Sequence, residues 1–149
     1  MNTTTSAHPS TKMIFINLPV RDLATATRFY EAIGCSKNAQ FSNDVAVSMV
    51  WSETITFMLL THGFFSTFTK KPIADAKATT EVLLCLSRDS REDVDAITEA
   101  AAAAGGTADI RERQDMGFMY SRAFEDPDGH VFEPMWLDIA AMPAAPATN

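Results

Sequence analysis

Ile14-Phe-Ile-Asn-Leu-Pro-Val20 running into Arg21-Asp22, and Glu81-Val-Leu-Leu-Cys-Leu-Ser87 running into Arg88-Asp89, begin the same pattern twice. Each is a mostly apolar run of strand length closed by an Arg-Asp pair. After the first, Leu23, Ala26, Tyr30 and Ile33 fall on one stripe at helical spacing, with Asp22 as N-cap and Gly34 as the glycine that stops the helix. After the second, Val94, Ile97, Ala101 and Ala104 form the stripe, with Ser90 as cap and Gly105-Gly106 as stop. Three strand-like runs follow each helix. They are Ser36–Phe41, Val45–Trp51 and Thr54–Thr61 in the first pass, and Thr107–Arg113, Met119–Phe124 and Val131–Leu137 in the second. The repeat is one of architecture, with little pairwise identity.

A helix with a single apolar stripe covers one face of a sheet and leaves the other free. The expected fold is therefore α+β: two βαβββ modules whose free faces form a half-open barrel around a cleft suited to a small molecule. The boundaries expected are a tail at 1–12, a first module at 13–61, a linker or flap at 62–79, a second module at 80–138, and a tail at 139–149. The tails are rich in Thr and Ser or in Ala and Pro, can bury little, and are expected to be mobile. The linker, with Phe64, Phe65 and Phe68 before Pro72, reads either as a segment folded back on the core or as a flap over the cleft mouth.

Composition narrows the partners. The chain has 149 residues, 46% hydrophobic and 21% charged, with a net charge of −7. That charge argues against nucleic acid and against anionic membrane surfaces, and would suit a cationic small molecule. The polar start reads as no signal peptide, and no apolar run spans a bilayer, which makes the cytoplasm the default location. Cys35 and Cys85 lack the spacing of a zinc or redox motif.

Two segments carry a resemblance. One is Asn17-Leu-Pro-Val-Arg-Asp22 with Arg28-Phe-Tyr30 and Gly34. The other is Phe124-Glu-Asp-Pro-Asp-Gly-His-Val-Phe-Glu133, whose Asp126-Pro-Asp-Gly129 also reads as a type I turn between two strands. At their places in a doubled chain they resemble the vicinal-oxygen-chelate superfamily: glyoxalases, bleomycin-resistance proteins and extradiol dioxygenases. The resemblance covers about residues 13–138. Gly117-Phe-Met-Tyr120 and Met135-Trp136 resemble a subgroup of predicted lactoylglutathione lyases. It implies a homodimer and, in metal-dependent members, four His or Glu ligands on the first and last strands of each module. Those positions fall here on Phe15, on or next to Leu59, on Val82 or Leu83, and on Glu133. One carboxylate does not make a divalent site, so no cofactor is expected, the alternative being a divalent metal bound through ligands not recognised. Where the subgroup often has a histidine, this chain has Met116; His8, His62 and His130 offer no replacement set.

The candidate ligand-binding residues are thus Phe15, Leu59, Leu83, Tyr120, Arg122, Glu133 and Met135, with Glu133 the candidate catalytic group. Glu133 either pairs with Arg122 or a tyrosine hydroxyl, or stands in a partly desolvated cleft as a general base or cation-binding group. Tyr120 and Arg122 share a strand face, which lies either toward the cleft or toward solvent. Pro134, lacking an N–H, marks its strand as an edge or as bulged. Three functions remain open: a metal-free binder of a small organic molecule, placed first; a metal-dependent lyase, isomerase or dioxygenase; and a metal-free enzyme in which Glu133 transfers a proton beside Tyr120 or Arg122.

Overall fold

The computed structural model describes residues 10–145, so His8 and the outer part of both tails lie outside the described residues. The first half runs β1 (Ile14–Val20), α1 (Leu23–Ala32), β2 (Ser36–Asn38), β3 (Ala46–Val50) and β4 (Ile55–Thr61). A one-turn helix α2 (His62–Phe65) opens the connection. The second half runs β5 (Leu83–Ser87), α3 (Arg91–Ala103), β6 (Thr107–Ala108), β7 (Gln114–Asp115), β8 (Met119–Ser121), β9 (Phe124–Glu125) and β10 (Val131–Leu137).

The first sheet has the order β1-β4-β3-β2, with β1 parallel to β4 and the other pairs antiparallel. In the second, β5 lies parallel to β10, β8 and β9 lie antiparallel on its other side, and β7 and β6 follow outward. The two modules thus share one topology, and their curled sheets form a half-barrel. Asp22 caps α1 by accepting from Ala24 N–H at 3.0 Å, and Ser90 caps α3 through Asp93 N–H at 3.0 Å.

Three expected strands differ in detail. Only Ser36–Asn38 of the first is extended, because the Asn38 side chain accepts from Gln40 N–H at 3.2 Å and turns Ala39–Phe41 into a 3-10 helix. The run Met119–Phe124 is split into β8 and β9 by Pro134 on the facing strand. β10 is neither an edge nor bulged: Phe132 faces Phe124 and Met135 faces Ser121 in one unbroken register, so Pro134 sits opposite Arg122 and removes a single rung. Arg122 N–H still reaches the Pro134 carbonyl at 3.3 Å. The run Thr107–Arg113 departs most. Thr107 faces Glu125 and Gln114 faces Ser121, seven steps against four, so three extra residues loop out between β6 and β7. Asp109 begins that loop in the left-handed region, φ 54°.

The helix-covered faces of both sheets meet in one core. Phe132 of β10 packs against Phe57 of β4 at 5.5 Å, Phe124 of β9 at 5.3 Å and Tyr30 of α1 at 6.0 Å between ring centroids. Tyr30 also donates to Asp126 Oδ2 at 2.8 Å across the module boundary. Asp126 Oδ1 accepts from the backbone N–H groups of Asp128 and His130, so both oxygens of the buried carboxylate are hydrogen-bonded. Gly106 belongs to this junction, since a Cβ there would run into the Glu125 carbonyl and the Phe29 ring. Among the described residues no helix is long and apolar enough to cross a membrane.

Phe132→Ala should cost about 3–5 kcal/mol, because a fully buried ring shared by both modules cannot be refilled by either. Urea unfolding measures this; a loss under about 1 kcal/mol, the scale of a tolerated core swap, would show that the two modules do not depend on a common core.

Candidate functional site

Strand register decides which side chains leave the core. On β10, Phe132 and Pro134 point to the helix side, while Val131, Glu133 and Met135 point to the free face. Parallel pairing sets Leu83, Cys85 and Ser87 of β5 beside them on that face. On β1 the free-face residues are Phe15, Asn17 and Pro19, because Leu18 and Val20 are core. Phe15 and Leu83 are each 56% exposed. Leu59 is not a cleft residue: it is fully buried, paired with Leu18, in the core on the helix side. Its neighbours Met58 and Leu60 take the opposite face of β4.

Tyr120 and Arg122 lie neither in the cleft nor in solvent. Both pack toward α3, across the sheet from Glu133. The Arg122 side chain is 2% exposed and meets three carboxylates. Nε and Nη2 grip the two oxygens of Asp109 at 3.0 and 2.7 Å, Nη1 reaches Asp95 at 3.0 Å, and Nη2 reaches Glu99 at 2.9 Å. The Tyr120 hydroxyl donates to the same Asp95 oxygen at 2.7 Å. This guanidinium pins α3 and the looped-out segment to the sheet. It holds the Asp109 carboxyl below the usual carboxylate range, against a smaller opposing effect of burial.

Glu133 has a different partner. Arg111, from the looped-out segment, donates to Glu133 Oε2 through Nε at 3.1 Å and Nη2 at 2.8 Å. The same Nη2 reaches Ser121 Oγ at 3.1 Å, and Nη1 donates to the Glu112 carbonyl at 3.0 Å. Both side chains are partly covered, at 28% and 21% exposure. Cys85 stands beside the pair; burial and then the Glu133 charge push its thiol up, while Arg111 pulls the other way. Sequence reasoning passed over Arg111. A signal existed: extending the Thr107–Glu125 register would set Arg111 opposite Ser121, on the face that carries Glu133.

The connection between the modules folds back and roofs a cavity of about 310 Å³. Its walls include Phe65, Ile73 and Pro72 from the connection, Asn17 and Pro19 from β1, and Val131 from β10. A second cavity, of about 180 Å³, adjoins it near Arg21, His62 and Asp75. The roof is seated on the Asp126–Gly129 turn, which closes through Gly129 N–H to the Asp126 carbonyl at 3.0 Å. Gly129 has φ +98°, and a Cβ there would come within 2.8 Å of the Ala76 and Lys77 backbone. His130 Nε2 lies 2.8 Å from the Pro19 carbonyl, tying the same turn to β1.

The donors present do not fit a divalent cation at the positions the resemblance indicates. Phe15 and Leu83 offer no lone pair, Leu59 is core, and Glu133 is held by a guanidinium. Among the described residues no three His, Cys, Asp or Glu side chains converge on a metal-sized site.

A model of the Glyoxalase/Bleomycin resistance protein/Dioxygenase superfamily matches residues 12–133. Solved structures share the fold. A hypothetical protein from S. aureus is 26% identical, with 83% of this chain and 92% of that one covered at a TM-score of 0.71. A glyoxalase/bleomycin resistance protein/dioxygenase family enzyme from Burkholderia phytofirmans PsJN is 18% identical, covering 85% and 98% at 0.71. The fosfomycin resistance protein FosX from Mesorhizobium loti is 17% identical, covering 86% and 93% at 0.62. No protein of curated function matches the chain.

Arg111→Met should cost about 1–3 kcal/mol in chemical unfolding by leaving the Glu133 carboxylate without its donor, and adding Glu133→Gln should recover part of the loss. Strictly additive losses would mean the ion pair contributes nothing. Because the Asp109 pKa is depressed in the fold, its contribution is present above about pH 4 and fades as pH falls through the folded value. Asp109→Asn should therefore weaken the protein at neutral pH and flatten the acid limb of its stability curve; an unchanged limb would contradict this.

Proposed function

Because the chain belongs to the Glyoxalase/Bleomycin resistance protein/Dioxygenase superfamily, we propose that it uses this fold to bind a small organic molecule under the roof between the modules, without a divalent metal. The observation that carries the reading is the cavity itself. It is enclosed on three sides by β1, the start of β5 and β10, and the connection, and its volume of about 310 Å³ is at the lower end of small-molecule sites. Pro19, Phe65, Ile73 and Val131 supply apolar wall, and Asn17 and Lys71 supply polar points at its margin.

The free sheet face complements the cavity. Arg111 and Glu133 neutralise one another there, beside the Cys85 thiol. Glu133 as a proton-transferring base finds less support, because its carboxylate is tied through Oε2 to the Arg111 guanidinium, which leaves Oε1 alone outside the ion pair. A lyase or dioxygenase using a chelated metal would need donors where Phe15 and Leu83 stand. Those two side chains, with Met13, Ile14 and Val82, leave an unusual amount of apolar surface in water along β1 and β5. A second copy of the chain covering those strands as a homodimer accounts for it.

Two measurements test the reading. After incubation with nickel, zinc, manganese or iron(II) and gel filtration, the protein should carry well under one metal per chain, with no change in Glu133→Gln. Near-stoichiometric metal that disappears in that variant would restore the metal-dependent alternative. In a thermal-shift panel of small aromatic and aliphatic compounds, a true ligand at a hundred times its Kd should raise Tm by about 5–10 °C. A panel without any such compound would sink the binding proposal.

A further inference from the structure

The connection covers two chambers rather than one. The cavities of about 310 and 180 Å³ lie side by side, with Pro19, Ile73, Ala74, Ala76 and His130 lining both. Their chemistry differs. Away from the shared wall, the larger chamber is lined mainly by apolar residues from both modules, Leu18, Phe65, Val82, Leu84 and Val131 among them, with Lys71 and Glu81 as its charged residues. The smaller, apart from the shared wall, is lined by Arg21, His62, Asp75 and Asp128, so polar and charged groups of both signs dominate this end.

The charged end is incompletely paired. Arg21 and Asp75 approach to 3.8 Å, too long for a hydrogen bond, with side chains 61% and 57% exposed. Among the described residues the Arg21 guanidinium makes no hydrogen bond at all. The carboxylates, by contrast, are anchored by backbone: Asp128 Oδ1 accepts from Arg21 N–H at 2.9 Å, and Asp75 Oδ1 accepts from Lys77 N–H at 3.1 Å. The backbone thus fixes where negative charge sits, and the guanidinium stands next to it with free donors. A ligand bearing only an anion would meet Asp75 and Asp128, and one bearing only a cation would meet Arg21. A ligand with both charges on adjacent atoms satisfies both sides of the loose pair.

We propose that the two chambers together take an amphipathic zwitterion of the α-amino-acid type, its apolar body in the larger chamber, its carboxylate on Arg21 and its ammonium on Asp75. The proposal rests on the reading that the roofed cavity binds a small organic molecule, and adds the class of that molecule. The connection lines both chambers, so body and head would meet the same segment, the head at the open end where Arg21 and Asp75 reach solvent. Gly129 keeps that segment low, because any side chain there would lift Ala76 and Lys77, and with them the wall the chambers share.

Calorimetric titration of the full chain with four probes of one body tests this: tryptophan, tryptophanamide, N-acetyltryptophan and N-acetyltryptophanamide. Tryptophan should bind tightest, and removing either charge should weaken binding by about tenfold or more, the scale of a lost charge-assisted hydrogen bond. Arg21→Gln should erase the difference between tryptophan and its amide while keeping that between tryptophan and its N-acetyl form. Asp75→Asn should do the reverse. Equal binding of all four probes would overturn the zwitterion assignment and leave the cavity as an apolar binding site. Binding by none of the four would also overturn it, with the broader binding proposal then decided by the thermal-shift panel.

Discussion

Neither βαβββ module can bury its own sheet with one helix, and this shortage of cover shapes the molecule. A helix of ten residues in the first module, and of thirteen in the second, shields only part of the face beneath it. The remainder is covered by the other module, with Phe132 in contact with rings from β4, β9 and α1. The polar closure at this boundary is the Tyr30–Asp126 hydrogen bond. It is buried at both ends, and both Asp126 oxygens are engaged, so the modules meet in one defined orientation. Burial pushes both the Tyr30 hydroxyl and the Asp126 carboxyl up, which keeps a proton on the phenol that donates.

From that core the site follows by parity. Once Phe132 points inward, Val131, Glu133 and Met135 must point to the free face, and parallel pairing carries Leu83, Cys85 and Ser87 with them. The same rule sends Arg122 to the helix side, where three carboxylates compensate a guanidinium that is almost wholly removed from water. Two arginines close in sequence thereby do unlike things. Arg122 fastens a helix to the sheet, and Arg111 pairs with Glu133 on the free face.

The doubled order of elements was legible because each part has a local cause. Apolar runs of strand length, stripes at helical spacing, capping Asp22 and Ser90, and the turn at Asp126–Gly129 all declare themselves within a few residues. What failed to read was long-range. The placement of Leu59 depended on a shift of one residue, which moves a side chain from one sheet face to the other. The partner of Glu133 was sought on the adjacent strand, at Arg122, but Arg122 stands opposite Pro134 and takes the helix side, while the true partner, Arg111, comes in from the Thr107–Arg113 run. No local signal announces that three residues leave the ladder there. The effect of Pro134 was likewise sought in its own strand, whereas the interruption falls on its neighbour. The two chambers under the roof depend on where some fifteen residues of connection settle, which no periodicity encodes.

The looped-out segment Asp109–Arg113 has a consequence for how such a protein can change. β6 and β7 pair on either side of it in registers that differ by three, β6 with β9 and β7 with β8, two pieces of one chain run. Residues can therefore be gained, lost or exchanged within the loop while the ladder around β10 stays as it is. Since this loop alone delivers Arg111 to the free face, the polarity of that face is adjustable independently of the scaffold. That freedom is bounded at Asp109, which Arg122 grips, and at Arg111, whose loss strands Glu133, so change in the loop that alters the face has to keep or replace those two contacts.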